Sequence, residues 1–261
     1  MALPPFRHPS EPPPVRVQPD TRRVLGLPGR HWVVVALVVS FGYVALGVVS
    51  VTGAVRVLTR DPTAAELRRA ADVEVARRWE SWPSGRIFPE RLTYRPGDGE
   101  EYEYATRSGI APETACEASL EPKAAEVLLR HGCRAVLRAT YADQLEGVVV
   151  TVGVVVFPDQ HAAYRARGAL SSSPTVLRAS AFPGTPAALF NDAARQRGSA
   201  ERGGPYLVLT TAGQSDGRPA AAVTKGRPQD LFGFVPQLGH TIAQTLATRS
   251  LPDCGDRDWE C

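Results

Sequence analysis

The chain has 261 residues, 43% hydrophobic and 22% charged, with a formal net charge of +3 and four cysteines. Those proportions suit one folded domain with appendages and exclude a collagenous, wholly disordered or polytopic membrane chain. The excess charge sits in residues 1–31, where Arg7, Arg16, Arg22, Arg23 and Arg30 outnumber Glu11 and Asp20; residues 32–261 carry 25 basic and 25 acidic side chains, so nothing draws them to nucleic acid.

Eight of the 23 prolines also fall within residues 1–31, removing backbone donors where few apolar groups can be buried, and this Pro/Arg-rich tail is predicted to be disordered. Residues 32–55 follow with 24 positions free of charge, ten of them Val. At about 1.5 Å per residue they cross a hydrocarbon core of about 30 Å, so one transmembrane helix embedded in a lipid bilayer is predicted. Thr52 and Ala54 have the small side chains of a cleavage site, but the leader and the apolar run both exceed signal-peptide dimensions, which favours an uncleaved signal-anchor. Arg16, Arg22, Arg23 and Arg30 before the helix are matched by Arg56, Arg60, Arg68 and Arg69 after it, so the positive-inside rule does not orient it. Cysteine does: Cys116, Cys133, Cys254 and Cys261 all follow the helix, as in an oxidising compartment. The expected location is the cell membrane, with the amino terminus cytoplasmic and the domain extracytoplasmic. The spacings of Ala36 with Ser40 and of Ser50 with Ala54 offer a weak homodimer contact.

Asp61 and Pro62 predict a helix start, with Leu67, Ala71, Val75, Trp79 and Trp82 on one face, giving a stalk helix over 56–84. A domain over 85–250 comes next. Its first strand, RIFPERLTY at 86–94, is broken by Pro89 and belongs at a sheet edge. Residues 96–103 form a turn into an acidic strand; Asp98, Glu100, Glu101 and Glu103 match no calcium loop and read as a solvated turn. A helix at 122–131 precedes strands at 134–141 and 148–157, joined by a turn at 143–147. Then come a helix to 169, a strand at 175–182, a helix at 186–195, strands at 206–212 and 219–224, and a helix from 230 to 249. Such interleaving predicts an α+β fold, a mainly antiparallel sheet with flanking helices. Four cysteines permit three pairings, and proximity selects Cys116–Cys133 and Cys254–Cys261, the second closing a tail at 251–261. The spacings lack the short ligand pairs of a zinc site.

Residues 213–217, GQSDG, match G-x-S-x-G, with Asp230 and His240 downstream in the order of an α/β-hydrolase triad around Ser215. A nucleophile elbow needs a helix directly after the glycine, whereas Arg218 and Pro219 open a return strand, so a hairpin turn accounts for the same letters. No histidine pair has metal-ligand spacing, and no P-loop or dinucleotide fingerprint occurs. The reading is therefore a non-enzyme with no catalytic, metal or cofactor site.

RIFPERLTY at 86–94, CRAVLRATY at 133–141, VTVGVVVFPD at 150–159 and GPYLVLTTAGQSDGRP at 204–219 together resemble a group of uncharacterised actinobacterial single-pass membrane proteins, over about residues 32–249. The resemblance implies topology and lineage, with no established activity. The Val-rich strand, Phe-Pro-Asp turn and Ala-rich helix are also similar in pattern to extracytoplasmic sensor domains of actinobacterial receptor kinases. The expected function is a membrane-anchored extracytoplasmic interaction protein serving an envelope or secretion complex through an envelope protein partner. The alternatives are a ligand-binding sensor and, more remotely, a serine hydrolase using Ser215.

Overall fold

The strand Val148–Val156, seven valines with Thr151 and Gly153 among them, is buried along its whole length, and the chain is organised around it. The computed structural model describes residues 29–97, 101–170, 176–223 and 229–250. These belong to two units, residues 1–62 and 63–261.

In the first unit, helix α1 (Gly29–Thr59) contains the predicted span. Its segment His31–Arg56 has a mean hydropathy of 2.4 and is 0% buried, and among the described residues it is the one helix long and apolar enough to cross a membrane. The Thr52 hydroxyl, toward its end, is returned to the helix by donating to the Val48 carbonyl at 2.8 Å.

The second unit begins with α2 (Ala64–Ser81). Its start lies at Thr63 rather than Asp61, because Thr63 and Glu66 form a capping box: the Glu66 N–H donates to Thr63 Oγ1, and the Thr63 N–H donates to Glu66 Oε2 at 2.8 Å. The expected face is apolar, yet the stalk expected over 56–84 is not a separate element. Ala71, Val75 and Trp82 are buried, and Val75 and Trp82 enter the same core as the sheet.

The α+β reading holds. After the short helix α3 (Ser84–Ile87), strands β1 (Arg91–Tyr94), β2 (Glu103–Ala111), β3 (Ala135–Ala142), β4 (Val148–Val156), β5 (Arg197–Gly203) and β6 (Tyr206–Gln214) form one antiparallel sheet in the order β1-β2-β3-β4-β6-β5. β1 is an edge, as Pro89 foretold, but the strand expected over 86–94 starts only at Arg91, because its first residues turn in the helix Ser84–Ile87. On one face Val150, Val152, Val154 and Tyr206 pack against α2 and helix α7 (Val235–Ala247). On the other, Val136, Val155, Leu207 and Leu209 meet helices α4 (Cys116–Ser119), α5 (Pro122–Arg130) and α6 (Gln160–Ala169). Two covered faces explain why β4 reads as a continuous apolar run without alternation. Asp159 caps α6 through the Ala162 N–H at 2.8 Å.

Three expected elements differ. Residues 176–182 are no strand: they hold an isolated bridge, Leu177 to Leu120, and otherwise lie across the sheet. Residues 186–195 form turns and the 3-10 segment Asp192–Ala194 instead of a helix, and 219–223 hold the 3-10 segment Ala220–Ala222 instead of a return strand. One common cause covers 176–195. Glycines at 109, 153 and 213 leave room on three strands, and the coil fills it: a Cβ on Gly109 would enter the Phe182 ring, and one on Gly153 would come within 2.5 Å of Leu177. Polar anchors fix the crossing, since Thr140 Oγ1 donates to the Ser180 carbonyl at 2.7 Å and the Ser180 N–H donates to Thr151 Oγ1 at 3.2 Å. The α7 helix also starts later than Asp230, which lies in the 3-10 turn Gln229–Phe232.

Candidate functional site

Alternation along β1 sends Leu92 and Tyr94 into the core and leaves Arg91 and Thr93 exposed on the opposite face, with Arg95 exposed just beyond the strand. On β2, Tyr104 and Thr106 are exposed while Ala105 is buried between them, and Tyr102 is exposed directly before the strand. The layer containing α5, α6 and the coil covers β3, β4 and β6, so this end of the sheet keeps an open face. Its side chains form two arginine–tyrosine stacks. The Arg91 guanidinium lies 4.9 Å from the centre of the Tyr104 ring; that of Arg95 lies 4.4 Å from Tyr102 and donates to its hydroxyl at 2.5 Å. Arg107 turns to the other face, where it donates to the Phe88 carbonyl. Among the described residues, Arg91 and Arg95 form no ion pair with a carboxylate.

The open face continues into a cavity of about 390 Å³ between Arg91, Tyr104 and Thr106 on one side and Gly184 to Pro186 of the coil on the other. Asp143 and Glu146, in the β3–β4 turn, complete its wall. The Asp143 carboxylate accepts from the Val148 N–H at 2.8 Å, and burial raises its pKa above the usual carboxyl value. A raised carboxyl holds its proton more tightly in the folded chain. Its contribution to stability is therefore complete below the unfolded value of about 3.9 and is lost as pH rises through the folded one. Asp143→Asn keeps an oxygen for the Val148 N–H and carries no charge. Denaturant melts at pH 7 are expected to show the variant more stable than the parent, with the gap closing toward pH 3; a gap independent of pH contradicts the assignment.

A second cleft, of about 530 Å³, opens where β4 ends and β6 begins, lined by Val73, Ala76, Pro158, Pro205 and Ala247 and spanned by Arg249 donating to Asp72 at 2.6 Å.

The expected Cys116–Cys133 disulfide is present, with Cα atoms 6.6 Å apart, tying α4 to the entry of β3. The bond closes a separation of 17 residues. Replacing both cysteines by Ala is expected to lower stability by about 3 kcal/mol, read as a shifted denaturation midpoint. Cys254 and Cys261 lie outside the described residues, as do Asp98 and Glu100 of the acidic turn. Glu103 accepts the Tyr94 hydroxyl at 2.7 Å, and Glu101 is exposed.

Ser215 sits in the turn directly after β6, with no helix directly after Gly217; its N–H donates to the Gly147 carbonyl at 3.1 Å, and its hydroxyl makes no described hydrogen bond. His240 and His161 are exposed on α7 and α6. The structure thus joins Cys116 to Cys133, whereas Ser215 in its turn and His240 on α7 share no described hydrogen bond. The arginine–tyrosine face had a signal in the sequence, the alternation of Arg91, Thr93 and Arg95, which edge placement alone did not turn into a surface. No family model, curated protein or solved structure matches the chain.

Proposed function

We propose that the chain is a single-pass membrane-anchored interaction protein, its tail cytoplasmic and its disulfide-stapled domain extracytoplasmic, docking onto a protein partner of the cell envelope. The observation that carries this reading is the open β1–β2 face, where two guanidinia that form no ion pair among the described residues lie over tyrosine rings, in a chain that also carries an apolar helix of membrane-spanning length. Arginine and tyrosine are the side chains that concentrate binding energy at protein interfaces, and their stacking limits the entropy lost on docking. The disulfide supports an oxidising compartment for the domain. Crosslinking in intact membranes followed by affinity capture is expected to return a specific envelope protein, and protease added outside intact cells is expected to reach the domain. A domain protected from that protease, or capture without a specific partner, overturns the proposal.

The 530 Å³ cleft favours a second reading, a ligand-binding sensor. Its test is a thermal-shift screen of the full chain against envelope metabolites.

A further inference from the structure

The open face borders the free edge of β1, and the backbone register there says what can be added. Arg107 N–H donates to the Glu90 carbonyl at 2.8 Å, and Arg91 is aligned with Thr106. Residues 90, 92 and 94 therefore bond to β2, while the N–H and C=O groups of Arg91, Thr93 and Arg95 point away from the sheet. Those of Arg95 are already matched. Its N–H donates to Gln237 Oε1 at 3.0 Å, and its carbonyl accepts from Gln237 Nε2 at 2.9 Å, so a side-chain amide stands where a neighbouring strand would stand. No described hydrogen bond reaches the outward groups of Arg91 and Thr93. The edge is thus closed at one end and open over the two positions whose side chains lie on the arginine–tyrosine face.

From this juxtaposition we infer that β1 accepts an extended acidic segment of a partner protein, which pairs with the outward backbone of Arg91 and Thr93 and sets alternate carboxylates against the guanidinia of Arg91 and Arg95. The inference rests on the interaction reading above and names its surface and partner chemistry. Alternate side chains of an added strand fall on one face, and positions four apart on Arg91 and Arg95 lie about 13 Å apart along it. Two carboxylates in an extended peptide have the same reach. Each guanidinium lies over a tyrosine ring, and Arg95 spends one donor on the Tyr102 hydroxyl, which leaves its other donors and those of Arg91 for a carboxylate. Asp143 and Glu146 stand on the cavity side, so the acidic segment approaches from the free edge of β1.

The test uses the full chain in detergent micelles and a dye-labelled eight-residue peptide of alternating glutamate and threonine, with a lysine–threonine peptide and a polyuronate chain as comparisons. Fluorescence anisotropy is expected to show binding of the glutamate peptide alone, weakened at least tenfold by Arg91→Glu with Arg95→Glu and weakened by raising salt. Both arginines are exposed, so an unchanged melting temperature confirms that the double variant folds. Thr93→Pro, which removes an outward N–H and leaves both charges, is expected to weaken binding as well. Binding that survives charge reversal, or polyuronate bound in place of peptide, overturns the inference. A photo-crosslinker at Thr93 in intact membranes separates the two levels of failure. A partner captured from Lys123 but never from Thr93 overturns the β1 assignment and leaves the interaction reading standing; capture from neither position removes both.

Discussion

Arg78→Ala is expected to destabilise the domain by about 3–5 kcal/mol, the cost of leaving a buried charge and its partners unmatched. Arg78 and Glu74 are side chains with 3% and 6% exposure, one helical turn apart on α2. Two parallel bonds join them, Nε to Oε1 at 2.7 Å and Nη2 to Oε2 at 2.6 Å. The remaining nitrogen, Nη1, donates to the carbonyls of Thr245, Leu246 and Thr248 at 3.1, 2.9 and 2.8 Å. Those are the carbonyls at the end of α7 that no helical N–H can reach, so one side chain neutralises Glu74 and caps a helix 167 residues away in sequence. The Trp82 ring packs 4.5 Å from the guanidinium and closes the site from water. Truncation leaves an unpaired carboxylate and three exposed acceptors in a space sealed by α2 and α7.

Thermal unfolding of the full chain in micelles is expected to show the midpoint falling by about 10 °C. Arg78→Lys retains the charge but has no fork with which to hold Glu74 and the α7 carbonyls together, so it is expected to fall between parent and Ala. Replacing both residues, Glu74→Leu with Arg78→Met, removes the stranded carboxylate and leaves only the α7 carbonyls unmatched. It is expected to recover part of the loss. A cost for Arg78→Ala below about 1 kcal/mol, the range of exposed pairs, contradicts this account.

The parts of the fold legible in the sequence are those whose causes are local. β4 announces itself because burial on both faces selects seven valines within nine residues, and α6 because Asp159 supplies a cap before an alanine-rich face. β5, by contrast, is RGSAERG, with no apolar run. It is held by the backbone ladder to β6 and by the hydroxyl contact of Ser199 with Thr210 at 2.8 Å, and neither is visible until β6 is in place. The coil over 176–195 misleads for the same reason. Val176 and Leu177 are both buried and adjacent, which no amphipathic strand allows, because the coil is pressed between α4 and a sheet opened by distant glycines. The candidate surface divides similarly. The alternation that exposes Arg91 and Thr93 is local, whereas their lack of a covering layer depends on where α5, α6 and the coil come to rest.

Gly213→Ala supplies the sharpest contrast with the hydrolase motif. It is expected to cost about 1–3 kcal/mol by overpacking, while Ser215→Ala stays within about 0.5 kcal/mol. Gly213 lies on β6 opposite Val149, on the face crossed by the coil. A Cβ there would enter the Ala194 carbonyl oxygen and come within 2.8 Å of the Phe190 ring. Neither neighbour yields easily. The carbonyl belongs to the 3-10 turn that Asn191 caps through the Ala193 N–H at 2.9 Å, and Phe190 is buried beside Ala187 and Ala194. Gly217, the other end of the motif, has φ +70 and a Cβ position 2.6 Å from the Leu189 carbonyl oxygen, so Gly217→Ala adds backbone strain to the same crowding. Two glycines of the five-residue motif are thus accounted for by the coil that packs on them, and the hydroxyl of the serine between them makes no described hydrogen bond. Denaturation midpoints for the three single variants decide the matter. Losses ordered with both glycines above the serine support packing as the reason for the motif, and a Ser215→Ala loss equal to that of Gly213→Ala refutes it.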